Sequence, residues 1–132
     1  MNLSTPTPHD PARHPVLVVD DDPGIRESLK ELLELEGYDV QTAEHGRAGL
    51  EVLRHERPCM IVLDLMMPVM DGRQFLQALQ QAGDPAAAAI PVTVVSALDQ
   101  ARELKQRYRC EVLGKPINVD QLLATVRRYC HC

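Results

Sequence analysis

Five side chains in this sequence are of types that could act together on a phosphoryl group: Asp20, Asp21, Asp64, Ser96 and Lys115. Each stands just after, or at the end of, a short apolar run. Asp20-Asp21 follows Val16-Leu17-Val18-Val19, Asp64 follows Met60-Ile61-Val62-Leu63, and Ser96 follows Val92-Thr93-Val94-Val95. Lys115 comes two residues after the run Cys110 to Leu113. Three carboxylates at one place repel one another, since two unit charges 4 Å apart cost on the order of 4 kcal/mol at an effective dielectric near 20. They must either bind protons more tightly or share a cation. A set made only of oxygen ligands suits Mg²⁺, which uses one or two carboxylates together with phosphate oxygens. A carboxylate can also be the nucleophile that takes up the phosphoryl group, with a lysine offsetting the charge on its oxygens.

Whether these residues meet depends on the elements that carry them. The apolar runs do not alternate, which marks strands buried on both faces. Between them lie amphipathic segments. Asp22 is placed as an N-cap with Pro23 at the first helical position, and Ile25, Leu29, Leu32 and Leu33 form an apolar stripe that Gly37 ends. Tyr38 to Ala43 reads as a second strand and Gly46 to His55 as a second helix, with Leu50 and Leu53 inward. Asp71-Gly72 opens a helix with Phe75, Leu76 and Leu79 on its apolar face, and Ala86 to Ala89 either extends the following connection or forms an extra turn. A short, mostly polar helix is expected near Leu98 to Arg107. The last one begins at Asn118, with Gln121 as capping-box partner and Val119, Leu122, Leu123 and Val126 inward.

Five buried strands alternating with helices specify an α/β fold, a doubly wound parallel sheet covered on both faces, with strand order 2-1-3-4-5 favoured. In such a sheet ligands bind beyond the carboxyl ends of the strands, where the order reverses. Topology thus brings all five residues to one crevice, between the first and third strands.

In that arrangement Val18-Val19-Asp20-Asp21-Asp22, Asp64-Leu65-Met66-Met67-Pro68 with Asp71-Gly72, Ser96-Ala97 and Lys115-Pro116 resemble the receiver domain of two-component response regulators. The resemblance covers about residues 16 to 129. It implies a flavodoxin-like fold and a phosphoacceptor role for Asp64. It implies Mg²⁺ held by Asp21, Asp64 and the backbone carbonyl of Met66, with Asp20 acting through metal-bound water. Ser96 is similar to the hydroxyl that contacts the phosphoryl group, Lys115 to the lysine that pairs with the acceptor, and the Lys115-Pro116 bond is expected to be cis. The implied partners are a sensor histidine kinase or phosphotransfer protein and a downstream protein target, with output through a face that includes the last two helices and the fifth strand. The resemblance marks a signalling domain, not a turnover enzyme, whose own phosphorylation and dephosphorylation are its chemistry. One position departs from it: an aromatic residue is usual three places before the lysine, and here Val112 stands there.

Plainer readings exist for several residues. Asp22, Asp71 and Ser96 can each cap a helix, and Ser96 can do so while serving the site. Met66, Met67 and Met70 read as loop and packing residues. His9, His14, His45, His55 and His131 share no spacing and read as solvated. Two other functions remain open in the sequence: a receiver-like binding module that is never phosphorylated, and an aspartyl-phosphatase-type enzyme using Asp20 and Asp22. The second is disfavoured because Pro23-Gly24 stands where a small hydroxyl residue would be needed.

The whole chain bounds these readings. Its 132 residues suit one domain, and 45% hydrophobic with 25% charged residues is ordinary for a globular protein. A net charge of -5 does not suit a surface that follows a nucleic-acid backbone, so no direct nucleic-acid partner is expected. No apolar run reaches the ~20 residues that span a bilayer and no secretory signal is read, so no membrane contact and a cytoplasmic location are expected. The expected organisation is a disordered or extended Pro-rich arm at 1–15, a receiver at 16–129 and a tail at 130–132. It is read as stand-alone, although a receiver cut from a longer regulator or hybrid kinase would look the same. Cys59 and Cys110 are expected to be buried, inert thiols and Cys130-His131-Cys132 a frayed end.

Overall fold

The computed structural model describes residues 15–108 and 110–130, apart from the side chains of residues 98–100. Residues 1–14 of the arm expected at 1–15, and His131 and Cys132, lie outside that range. Within the described residues five strands, β1 (Val16–Val19), β2 (Val40–Ala43), β3 (Met60–Asp64), β4 (Val92–Ser96) and β5 (Glu111–Gly114), form one parallel sheet in the order β2-β1-β3-β4-β5. The order expected from the alternation of elements is the one observed.

Among the described residues, six helices connect or follow the strands: α1 (Pro23–Leu35), α2 (Gly46–Leu53), α3 (Gly72–Gln81), α4 (Pro85–Ala88), α5 (Leu98–Tyr108) and α6 (Val119–Tyr129). Side chains alternate along each strand, so the sheet has two apolar faces. Leu17, Val19, Ile61, Leu63 and Val94 share one face with Phe75, Leu76 and Leu79 of α3 and with Ala101 and Leu104 of α5. Val16, Val18, Met60, Val62 and Val95 share the other with Leu29 and Leu33 of α1 and Leu122 and Val126 of α6. Burial on both sides is why β1, β3 and β4 read as nearly unbroken apolar runs, whereas the edge strands β2 and β5, expected to be buried as well, are mostly half-buried.

The helix starts follow their capping residues. Asp22 accepts from the backbone N–H groups of Gly24 and Ile25. Asp71 and Gln74 make a full capping box at the start of α3. Asn118 accepts from the N–H of Gln121 at 3.0 Å. The extra turn after Asp84-Pro85 is the four-residue α4, with Asp84 as its cap. Two residues assigned to apolar stripes lie outward instead: Ile25 is 37% exposed and Val119 is 46% exposed. Both sit in the first turn of their helices, where the chain is still leaving the sheet edge.

The cysteines correct the sequence reading. Cys59, just before β3, and Cys130, which caps the C-terminus of α6, are joined in a disulfide with their Cα atoms 5.4 Å apart. Cys130 is buried rather than frayed, and Cys59 is not an inert thiol. Cys110 is free and buried, as expected.

Candidate functional site

The pairing register sets the site. Val19 of β1 lies beside Leu63 of β3, so the next residues along, Asp20 and Asp64, emerge side by side at the carboxyl end of the sheet. Asp64 also pairs with Val95 of β4, which puts Ser96 one step further along the neighbouring strand. Gly114 of β5 pairs with Ser96, and the Lys115 N–H donates to the Ser96 carbonyl at 3.1 Å. Four strands thus deliver the five residues to one edge.

Asp20, Asp21 and Asp64 each present a carboxylate oxygen, and these lie within 4.8 Å of one another. Asp20 and Asp64 are buried, each 4% exposed, while Asp21 is exposed. The Lys115 ammonium donates to Asp64 Oδ1 at 3.1 Å. The Lys115-Pro116 bond is cis, as the resemblance implied. Met66 follows in the loop after β3 with its side chain out in solvent, and its backbone N–H donates to the Asp64 carboxylate. Ser96 is buried at the end of β4.

Burial pushes the carboxyl of Asp64 above its ordinary value of 3.8, against the opposing pull of the Lys115 ammonium. Burial likewise raises Asp20, opposed by the hydrogen bond it accepts from the Asp22 N–H at 2.9 Å. The neighbouring Asp64 and Asp21 also raise Asp20, and Asp21 also raises Asp64. One lysine therefore faces three carboxylates, and the donor set is all oxygen. Those are the charge and chemistry of a site for a hard divalent cation.

Three supporting contacts were not read from the sequence. The Arg26 guanidinium, one turn into α1, donates to the backbone carbonyl of Asp20 at 2.7 Å and so anchors the acidic turn. Gly72 lies tight against the end of β3: a Cβ there would sit 2.9 Å from Leu65 Cα and 3.0 Å from the Asp64 carbonyl. Val69, in the loop between Asp64 and α3, has a φ of 67°, a left-handed conformation that a β-branched residue rarely adopts. Gly72 carried a visible signal, the Asp71-Gly72 pair, but Arg26 and Val69 had none.

Val112 is a half-buried residue of β5 packed against the core face that includes Leu104 of α5. Neither Tyr108 nor Tyr129 occupies its place. Tyr108 packs against the α5 side of the core, and Tyr129 donates its hydroxyl to Glu111 on β5.

A doubly wound five-stranded sheet with three carboxylates and a lysine at its switch point defines a flavodoxin-like α/β signalling fold. The response regulator receiver domain family model matches residues 16–127, and the chain belongs to that family. It is 37% identical over 115 residues to the response regulator MprA of Mycolicibacterium vanbaalenii, covering 85% of this chain and 48% of that protein. The chain thus spans about half the length of the curated relatives it matches. Among solved structures it is similar to the receiver domain of the Francisella response regulator 1452, at 30% identity and a TM-score of 0.79, covering 89% of this chain and 96% of that one. It is also similar to the signal receiver domain of a histidine kinase from Syntrophus aciditrophicus, at 31% identity and a TM-score of 0.76, covering 88% and 89%. Among the described residues no helix is long and apolar enough to cross a membrane.

Proposed function

We propose that the chain is a phosphoacceptor in a two-component relay and that Asp64 is the residue phosphorylated. The observation that carries this reading is the cluster itself: a buried carboxylate with a lysine at 3.1 Å and two further acids within 4.8 Å. The donor is a phosphohistidine on a sensor histidine kinase or phosphotransfer protein. A carboxylate oxygen of Asp64 attacks phosphorus, a P–O bond forms, the P–N bond breaks, and the imidazole nitrogen keeps the bonding pair. Lys115, already on Asp64, offsets the charge of the transferred oxygens. Ser96, at the end of the adjacent strand, supplies a hydroxyl to the same group. Asp20, Asp21, Asp64 and the Met66 carbonyl would hold Mg²⁺. The cation would neutralise the carboxylates and the phosphoryl oxygens together.

The reading includes a cytoplasmic location, where such kinases place their phosphohistidine, and output by protein contact through α5, β5 and α6. Helix α5 carries Arg102, Glu103, Lys105 and Arg107 on its polar side and is the element best suited to shift.

The test is incubation with Mg²⁺ and a small acyl phosphate, followed by intact mass. One phosphoryl group is expected, absent in Asp64→Asn and absent when the metal is chelated. No gain in mass with a competent donor and metal overturns the proposal and favours a binding module that is never phosphorylated. The same sample reads the output face by hydrogen exchange, where altered protection in α5 is expected and an unchanged helix counts against that face.

A further inference from the structure

We propose that Cys59 and Cys130 are a thiol-modification site, a reversible dithiol–disulfide couple that fixes or frees the C-terminal end of α6. The two residues lie 71 positions apart in sequence, and their Cα separation of 5.4 Å is within the range that a disulfide spans without backbone movement. They sit at the end of the sheet opposite the carboxylates. Cys59 precedes β3, where its backbone N–H donates to the Pro15 carbonyl at 2.9 Å, and Cys130 ends α6, where its N–H donates to Val126 at 2.7 Å.

The bond is the strongest tether on that helix end. Its other links outside the core include ion pairs of Arg127 with Glu36 at 3.6 Å and of Arg128 with Glu111 at 2.7 Å. Both arginines are more than half exposed, so such pairs hold little. Tyr129, next to Cys130, donates to the same Glu111 carboxylate on β5. Freeing Cys130 therefore loosens the last turn of α6 together with its grip on the residue beside Val112. In a compartment kept reducing, disulfides of this kind are transient and report oxidation.

The exchange balances with a low-molecular-weight dithiol. Cys59 is half-buried and Cys130 is buried, so the attacking thiolate reaches the Cys59 sulfur and Cys130 leaves as thiolate. The second thiol of the reagent resolves the mixed disulfide. Two electrons and two protons pass to the cysteines, and the reagent becomes a cyclic disulfide. A low-molecular-weight disulfide as oxidant runs the step backwards.

None of this draws on phosphoryl transfer, so its test stands apart from that of Asp64. The whole chain is equilibrated in dithiol–disulfide buffers from oxidising to reducing, alkylated, and mapped by proteolysis. A fragment joining Cys59 to Cys130 is expected at the oxidising end, with both thiols becoming labelled together as the buffer is made reducing. Amide exchange over Val126 to Tyr129 is expected to quicken about tenfold on reduction, as for a helix end released to local opening. Cys59→Ser and Cys130→Ser should each show the fast exchange in both buffers. Free Cys59 and Cys130 in the oxidising buffer, or pairing of Cys59 with Cys132 instead, overturns the assignment. Exchange in α6 that is equal in the two redox states overturns the coupling.

Discussion

At the scale of single residues the site is a concentration of charge that the fold tolerates at a cost. Asp20 and Asp64 are both held above the ordinary carboxylate range chiefly by burial. A raised carboxyl pKa in the folded state means that the stability these two groups contribute is fully present below about 3.8 and is lost as pH rises through their folded values. Metal-free protein should therefore lose stability with rising pH through this window. Asp20→Asn should stabilise it at neutral pH by about 1 kcal/mol, by removing one of three mutually repelling charges. The same substitution should shrink the rise in Tm that millimolar Mg²⁺ gives the parent chain. Thermal melts with and without chelator read both effects. A variant destabilised without metal, or one as responsive to Mg²⁺ as the parent, would contradict this account.

Val69 is a second residue under load. Its φ of 67° places Cβ against the backbone in a loop between the acceptor strand and α3, and the residue is 66% exposed. Little packing offsets strain of about 1–2 kcal/mol. Val69→Gly should raise stability by about 0.5–1 kcal/mol, since glycine's greater freedom in the unfolded chain takes back part of the gain. Denaturant midpoints decide it, and a lowered midpoint would show that the valine side chain contributes more than its exposure suggests.

At the scale of elements, the site depends on how closely α3 approaches the end of β3. Gly72 makes that approach possible, and its N–H donates to the Leu65 carbonyl at 2.9 Å. The two nearest of the three atoms that a Cβ would crowd are backbone, so side-chain rotation of Leu65 alone does not relieve the clash. Gly72→Ala should thus cost about 1–3 kcal/mol. It should also slow phosphorylation of Asp64, despite alanine's better helix propensity. Normal stability and normal labelling in this variant would place the tight contact elsewhere.

The elements were the most legible part of the sequence. Unbroken Val-, Ile- and Leu-rich runs can only be buried on two faces, and Asp22-Pro23, Asp71-Gly72 and Asn118 mark helix starts by local hydrogen bonding alone. The meeting of Asp20, Asp64, Ser96 and Lys115 followed because a parallel sheet ends all its strands at one edge. Contacts that depend on tertiary approach left no such trace. Arg26 reaches a carbonyl six residues back, Val69 is strained by a loop path, and Ile25 and Val119 fit a stripe that the sheet edge does not extend to cover.

At the scale of the molecule, the covalent link and the site divide the chain in different ways. The disulfide closes a loop that includes Asp64, Ser96 and Lys115 and leaves Asp20 and Asp21 outside it. A loop of 71 residues removes enough entropy from the unfolded chain to stabilise the fold by about 4 kcal/mol in the chain-entropy account. That is a large share of the ~5–15 kcal/mol that holds a domain of ordinary size. Reduction should therefore lower the urea midpoint markedly and raise the slope of the transition, because an unlinked unfolded chain exposes more surface. Cys59→Ser should match the reduced parent and ignore the reductant. The crevice, at the end of the sheet far from the bond, is built by the register of β1, β3, β4 and β5, so the reduced folded protein should still accept a phosphoryl group on Asp64. Equal midpoints in the two redox states would mean that the unfolded chain already holds these ends together, whereas loss of labelling on reduction would mean that the far end of the sheet governs the site.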